Sequence, residues 1–126
     1  MAEGVVNGPG EGEMLRNSET GRVAIVKAAL PHLSVFEFTI EGPWEGPPPH
    51  THDSETDSFY VLEGELDFHV DGRDFCGGPG TYVAAPPGTM HTFWKSSPGQ
   101  ARFLNIHAPG GFERAMREMS DPPTED

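Results

Sequence analysis

The chain has 126 residues and a formal charge of −12, from 20 acidic and 8 basic residues, with 16 glycines, 13 prolines and one cysteine. That length is one domain's worth, and such acidity argues against nucleic acid or an anionic membrane surface as a partner. One cysteine, Cys76, excludes an intrachain disulfide, and no apolar run reaches the length of a membrane span.

Residues 1–13 are glycine-rich and acidic and are expected to form a flexible arm. They lack the cationic start and apolar core of an export signal, so a cytoplasmic location is expected. Val5-Val6 could add to a neighbouring subunit's sheet edge. The folded domain is expected over residues 14–119. Within it, Val23 to Ala29 reads as a strand closed by Pro31, and Val35 to Ile40 as a second strand of strong β formers. His32, between them, reads as a solvent-facing loop residue. Gly42 to Pro49 (GPWEGPPP) holds too much proline for regular structure and should be a stiff loop. Trp44 within it is expected to pack over one end of the fold.

That loop leads into His50 and His52. Residues two apart on an extended segment face the same way, with Cα atoms roughly 7 Å apart, close enough for two imidazoles to reach one cation. Asp57 opens the run Phe59-Tyr60-Val61-Leu62 and could face back towards them with a carboxylate oxygen. Alternation places Phe59 and Val61 on the Asp57 face, Tyr60 and Leu62 on the other. Glu63-Gly64 turns into a strand in which Leu66, Phe68 and Val70 share a face and His69 points to solvent. Asp71-Gly72 is a hairpin signal. Cys76 reads as a small residue on the returning strand. A further strand, Thr81–Ala84, ends at Pro86-Pro87-Gly88, and this turn delivers His91 into an aromatic strand where His91, Phe93 and Lys95 share a face. Lys95 there could hold an anionic substrate, or be a lysine whose stem packs while its charge reaches water. Gln100–His107 is the last long strand, and its alternation does not say whether Leu104 and Ile106 or Phe103, Asn105 and His107 face inward. His107 is a candidate for supporting the histidine pair from outside. Phe112, Ala115, Met116 and Met119 fall at helical spacing, giving a short helix near residues 112–119 that packs on the domain or covers its pocket. Residues 120–126 are expected to be a flexible tail.

Two segments, GPPPHTHDSETDSFYVLEG from Gly46 and GTYVAAPPGTMHTFWK from Gly80, together resemble the paired motifs of the cupin superfamily. His50, His52 and Gly64 fall in place in the first, with Asp57 at the family's glutamate position; Gly80, Pro86, Gly88 and His91 fit the second. Asp57 in place of glutamate, Lys95 in place of asparagine and Trp44 in place of the leading glycine depart from the pattern. The resemblance covers roughly residues 23–107 and implies an all-β, single-domain jelly-roll (a double-stranded β-helix barrel) with a short C-terminal helix. It further implies one divalent transition metal (Fe, Mn, Ni, Co or Zn) held by His50, His52, His91 and Asp57, with Asp57 the candidate base if it is not a ligand. Phe59, Val61, Phe93 and Lys95 are then the candidate substrate-binding residues. The site motifs and the trailing PGGFERAMRE segment look like the quercetin-dioxygenase-like branch. The implied function is thus a metal-dependent oxygenase acting on a small compound, such as an aromatic or enol-bearing one. A non-catalytic binder of a small molecule and a metal-assisted isomerase or lyase are the alternatives, and a homodimer is the expected assembly.

Overall fold

A computed structural model describes residues 4–122, so the parts of the expected flexible arm and tail at residues 1–3 and 123–126 lie outside the described residues. Among the described residues there are nine strands and one helix: β1 (Glu13–Asn17), β2 (Arg22–Leu30), β3 (Leu33–Glu41), β4 (Thr56–Glu63), β5 (Leu66–Val70), β6 (Arg73–Gly77), β7 (Tyr82–Ala85), β8 (His91–Trp94), β9 (Gln100–Ala108) and α1 (Glu113–Glu118). They form a six-stranded sheet in the order β1-β2-β3-β9-β4-β7 and a three-stranded sheet in the order β6-β5-β8, all antiparallel. This is the jelly-roll the sequence implies. The proline-rich loop completes the smaller sheet, since Trp44 bridges Lys95 and His50 bridges His91. No helix among the described residues is long and apolar enough to cross a membrane.

The inner faces follow from period-two alternation. β3 buries Ser34, Phe36, Phe38 and Ile40, and β9 buries Ala101, Phe103, Asn105 and His107, which settles the face that its sequence left open. Asp71 and Gly72 both take positive φ, at 52° and 79°, as the hairpin between β5 and β6 requires. One end of the interior is filled by aromatic rings: Phe38 stacks on Phe103 at 5.2 Å, and Phe59 meets Phe93 at 4.9 Å and Phe68 at 5.5 Å. Burying each such ring removes well over 100 Å² of surface from water and stabilises by about 2–3 kcal/mol. The other end of the interior is polar, and the histidines lie there.

The first and last described segments of the chain both pack against the six-stranded sheet. Asn7 donates from its amide to the Lys27 carbonyl at 2.8 Å, and Lys27 Nζ donates to the Gly8 and Glu11 carbonyls. β1, a strand that EMLRN does not advertise in its sequence, pairs with β2, and Arg117 of α1 forms an ion pair with its Glu13 at 2.7 Å. Met116 of α1 is buried and Phe112 half-buried, while Met119 stays exposed.

The loop before the histidines runs so close to β8 that one position tolerates no side chain. A Cβ at Gly46 would lie 1.8 Å from the Phe93 carbonyl oxygen, with φ at +77°, whereas Gly42, at φ +73°, has open space around it. Both glycines release the same backbone strain, but only Gly46 also avoids a collision. Gly42→Ala should therefore cost about 1 kcal/mol and Gly46→Ala at least about 2 kcal/mol more, read from guanidinium unfolding. Equal losses at the two positions would contradict this packing.

Candidate metal centre

Backbone pairing puts the histidines together. His50 and His91 exchange two backbone hydrogen bonds, N to O at 3.0 and 2.9 Å. Paired residues of this kind present their side chains on one face, and the two ring centroids are 4.4 Å apart. His52 follows on the same face at 4.9 Å from His50 and 5.3 Å from His91; its carbonyl accepts from Gly88 N at 2.9 Å, which ties the loop to the Pro-Pro-Gly turn. Asp57 arrives from β4, directly opposite His107 of β9. One donor atom from each of His50, His52, Asp57 and His91 lies within 4.8 Å of the others.

Two rings of the trio are tied down at Nδ1, and the third has a carboxylate beside it there. His50 Nδ1 donates to the Pro48 carbonyl and His91 Nδ1 to the Thr89 carbonyl, each at 2.9 Å. His52 Nδ1 faces Glu55 Oε1 at 3.2 Å. With its proton held on Nδ1, His50 keeps the Nε2 lone pair for the shared centre, whereas His91 carries a proton on each nitrogen, and the one on Nε2 would have to leave before a metal could bind there. His52 Nε2 is buried and has no hydrogen-bond partner, although Asp57 Oδ2 lies 3.4 Å away at an angle unsuited to a bond. A buried ring nitrogen left without a partner costs free energy in a protein, and a cation at the centre would satisfy it. The residues present therefore fit a divalent transition metal: three imidazoles and one carboxylate, which suits Fe, Mn, Co, Ni or Zn without choosing among them.

Asp57 is held from both sides. Its Oδ2 accepts from His91 Nε2 at 2.9 Å, and its Oδ1 accepts from Asn105 Nδ2 at 2.7 Å. Burial pushes its pKa up, but the His91 hydrogen bond, the His107 charge and the Asn105 hydrogen bond outweigh this and leave it below the usual carboxylate value. Burial likewise pulls His91 down, yet its bonds to Asp57 and the Thr89 carbonyl raise it above the ordinary 6.5. Without metal, the two form a buried ion pair.

Three residues at this centre were not assigned to the ligand set from the sequence: Glu55, Asn105 and His107. Glu55 Oε1 lies 3.0 Å from His107 Nδ1, and His107 Nε2 donates to Asn105 Oδ1 at 2.9 Å. His52, Glu55 and His107 form a second group whose ligand atoms lie within 4.8 Å of one another. Phe112 covers His107 as a parallel stack, with centroids 4.0 Å apart at 7°. His107 was the candidate supporting residue, and the register of β4 with β9 places it beside Asp57. For Asn105 the only signal in the sequence was an alternating strand with two possible faces.

The candidate substrate residues divide. Phe93 lines a cavity of about 340 Å³ that also contains His50, His52, Asp57 and Asn105. Phe59 and Val61 do not reach it; both are packed in the aromatic core, where their position on the Asp57 face points them. Lys95 corrects the expectation most clearly. It is buried on the His91 face, but four residues of strand carry it roughly 13 Å along from His91, and its Nζ is bonded to the Ser97 carbonyl at 2.5 Å and Ser97 Oγ at 3.1 Å. It lies in the wall beside Trp44, outside the histidine cavity. Cys76 is exposed on β6. Its hydrogen bond to Glu65 and partial burial push the thiol up to about 11, so it is neither a thiolate nor a ligand here.

The ion pair predicts a pH signature. The raised His91 pKa contributes stability that is complete below 6.5 and lost as pH rises through the folded value. The lowered Asp57 pKa contributes stability that is complete above 3.8 and lost as pH falls through its folded value. Metal-free protein should therefore lose stability in guanidinium melts as pH rises from 6.5 into the alkaline range, and this slope should vanish in His91→Gln. Zinc or nickel should reverse it, because ligand binding displaces the His91 proton. A metal-free stability that climbs over this range would contradict the pairing.

Comparison with known proteins agrees with this architecture. The profile of the Cupin domain matches residues 36–107. Over 73 residues the chain is 32% identical to the quercetin 2,3-dioxygenase of Bacillus subtilis (strain 168), covering 58% of this chain and 21% of that protein, so it spans about a fifth of that relative's length. KdgF from Halomonas sp. superposes with a TM-score of 0.73 at 19% identity, over 90% of this chain and 99% of that one. An RmlC-like cupin from Shewanella frigidimarina gives 0.73 at 20% identity, over 90% and 96%. At those identities the structural likeness is one of fold. With its two facing antiparallel sheets, and with the profile running from β3 through β9, the chain belongs to the cupin domain family.

Proposed function

We propose that this cupin is a metal-dependent oxygenase acting on a small, apolar-bodied compound that bears adjacent oxygen donors, such as a phenol or an enol. The observation that carries the reading is the convergence of three imidazoles and the Asp57 carboxylate on one point, beside a cavity whose apolar wall includes Phe38, Phe93, Phe112 and Met116. The sequence likeness to a quercetin 2,3-dioxygenase supports it, over a fifth of that protein.

His50, His52, His91 and Asp57 would hold the metal. A divalent ion held there would supply Lewis-acid polarisation of a substrate oxygen and, if redox-active, one-electron chemistry with dioxygen. The chain's own residues do the rest. Pro48 and Thr89 hold two of the rings and Glu55 faces the third, so the rings are already turned towards the centre. Asn105 holds Asp57 Oδ1 and so aims Oδ2 at the centre, where it either completes the ligand set or accepts a proton from a substrate hydroxyl. The phenylalanines and Met116 exclude water from the reacting face. A second reading, proton transfer without oxygen as in an isomerase or lyase, draws on the Glu55–His107 pair, a half-buried acid–base couple 3.0 Å apart beside the ligands.

Oxygen consumption separates the readings. Iron-, manganese-, cobalt- or nickel-loaded protein should take up oxygen stoichiometrically with at least one member of a panel of phenolic and 1,3-dicarbonyl compounds, and Asn105→Ala should cut that rate by about tenfold or more. Turnover of a panel compound with no oxygen uptake would favour the isomerase reading and end the oxygenase one.

We also propose that two copies associate through the β1 end of the six-stranded sheet. β1 ends that sheet; its Arg16 carbonyl is met by Asp121 N at 2.7 Å, but Met14 on it is about half exposed and Val6, in the segment that precedes it, is 93% exposed. Edge strands that keep exposed apolar side chains recruit a further strand. Light scattering should give twice the 13.7 kDa chain mass, and Val6→Asp should return the monomer; a wild-type monomer at micromolar concentration would contradict it.

A further inference from the structure

The cavity that holds the histidines contains one permanent cation. Arg22 opens β2, just after the turn at Gly21, and its side chain lines the cavity together with Phe38, Phe93, Phe112 and Met116. The guanidinium carbon lies 5.5 Å from the Phe38 ring centroid and 5.6 Å from that of Trp44. Both aromatic faces orient the group without consuming its hydrogen-bond donors.

Those donors have no acidic partner. Among the described residues, Arg102 pairs with Glu37 and Glu63, and Arg117 pairs with Glu13, but no carboxylate lies within ion-pair reach of Arg22. A chain with 20 acidic side chains has ample means to neutralise eight basic ones. This half-buried arginine is instead left facing the site, and burial lowers its pKa from the usual 12.5 while leaving it charged at neutral pH. A desolvated cation without a counter-ion is costly, and that cost is recovered when an anion arrives.

We propose that Arg22 is the residue that selects the substrate's charge: it binds a carboxylate carried on the end of the substrate remote from the metal ligands. This rests on the cavity being the substrate site, as proposed above, and names the substrate class as a small carboxylic acid with an apolar, ring-sized body. The single planar fork of a guanidinium matches one carboxylate in bidentate fashion. A phosphate dianion would need further cations, and Arg22 is the only lysine or arginine lining this cavity among the described residues. The cavity's volume of about 340 Å³ sits at the lower end of the range for small-molecule sites, which favours a one-ring acid over a polycyclic one. Arg22 thus fills the part for which Lys95 was the candidate from the sequence. Lys95 is committed to Ser97; Arg22 is not committed to anything.

Calorimetric titration of the full chain tests this with matched acid and amide probes. For metal-loaded protein the pair is 3,4-dihydroxybenzoate and 3,4-dihydroxybenzamide, which share their chelating hydroxyls and differ in charge at the far end. For metal-free protein the pair is benzoate and benzamide. Wild type should prefer each acid by about tenfold or more, Arg22→Lys should keep a reduced preference, and Arg22→Gln should bring acid and amide within about threefold. Amide affinity should stay unchanged in Arg22→Gln, which separates loss of the anion contact from collapse of the pocket. If no metal binds, the benzoate comparison still decides the proposal, so its failure is distinct from failure of the metal reading. Equal affinity for acid and amide in wild type, an undiminished preference in Arg22→Gln, or no benzoate binding at concentrations on the order of 10 mM would each overturn it. Should Arg22→Gln not fold, the wild-type contrast and Arg22→Lys decide between the same two outcomes.

Discussion

The site depends on one constraint: the far nitrogen of each imidazole of the trio faces an acceptor, and two of the three are hydrogen-bonded to it. Pro48 and Thr89 offer backbone carbonyls and Glu55 a carboxylate, so the near nitrogens turn towards one centre. Left free, the rings would rotate to bond with whatever lay nearby, and His52 Nε2 would find a partner. It has none. The anchors in turn depend on the backbone, because Pro48 precedes the His50–His91 bridge and Thr89 lies just before β8. Gly46 lets that loop lie against the Phe93 carbonyl, so a turn residue with no chemistry of its own sets the position of two ligands.

The interior is divided along its length. Phenylalanines from β3, β4, β5, β8 and β9 fill one end, and His107, Asn105, Asp57, His91 and Ser34 are buried at the other. Removing water from the polar end strengthens every charge interaction there, and the same removal makes each unpaired group expensive. Hence the network is nearly closed: Asp57 to His91 and Asn105, Asn105 to His107, His107 to Glu55, Glu55 to His52. Among the groups left outside it are His52 Nε2, aimed at the centre, and the Arg22 guanidinium, which lines the cavity. Stability accounts for the closed part of the network, and the proposed binding of a metal and a substrate would account for these two openings.

Much of this was legible in the sequence, for physical reasons that differ by residue. The strands from Val23 onward announced themselves by alternation and by glycine and proline corners, and Asp71-Gly72 by the positive φ both positions need. His50, His52 and Asp57 sit on one short segment, so their convergence needed only local geometry. Asn105 and His107 were ambiguous because β9 alternates two plausible faces, and the face that turned inward carries the polar residues, against the usual preference for burying Leu104 and Ile106. Glu55 lies in the irregular stretch before β4, and its importance comes only from His107, fifty-two positions away. The placement of Lys95 followed from alternation and was right about its face, but alternation says nothing of distance along the strand. Arg22 gave no signal, since an arginine after a glycine turn reads as surface until the β2–β3 pairing brings it over Phe38.

The most direct test is X-ray absorption spectroscopy, with metal quantification, on protein purified without chelators or a histidine tag. Close to one divalent transition metal per chain is expected, surrounded by three imidazole nitrogens at about 2.0–2.2 Å, and that metal should be lost in the His50→Ala, His52→Ala double variant. A metal held by fewer than three imidazoles, or one that survives the double variant, would contradict the shared centre. So would a chain that stays metal-free when offered each candidate ion.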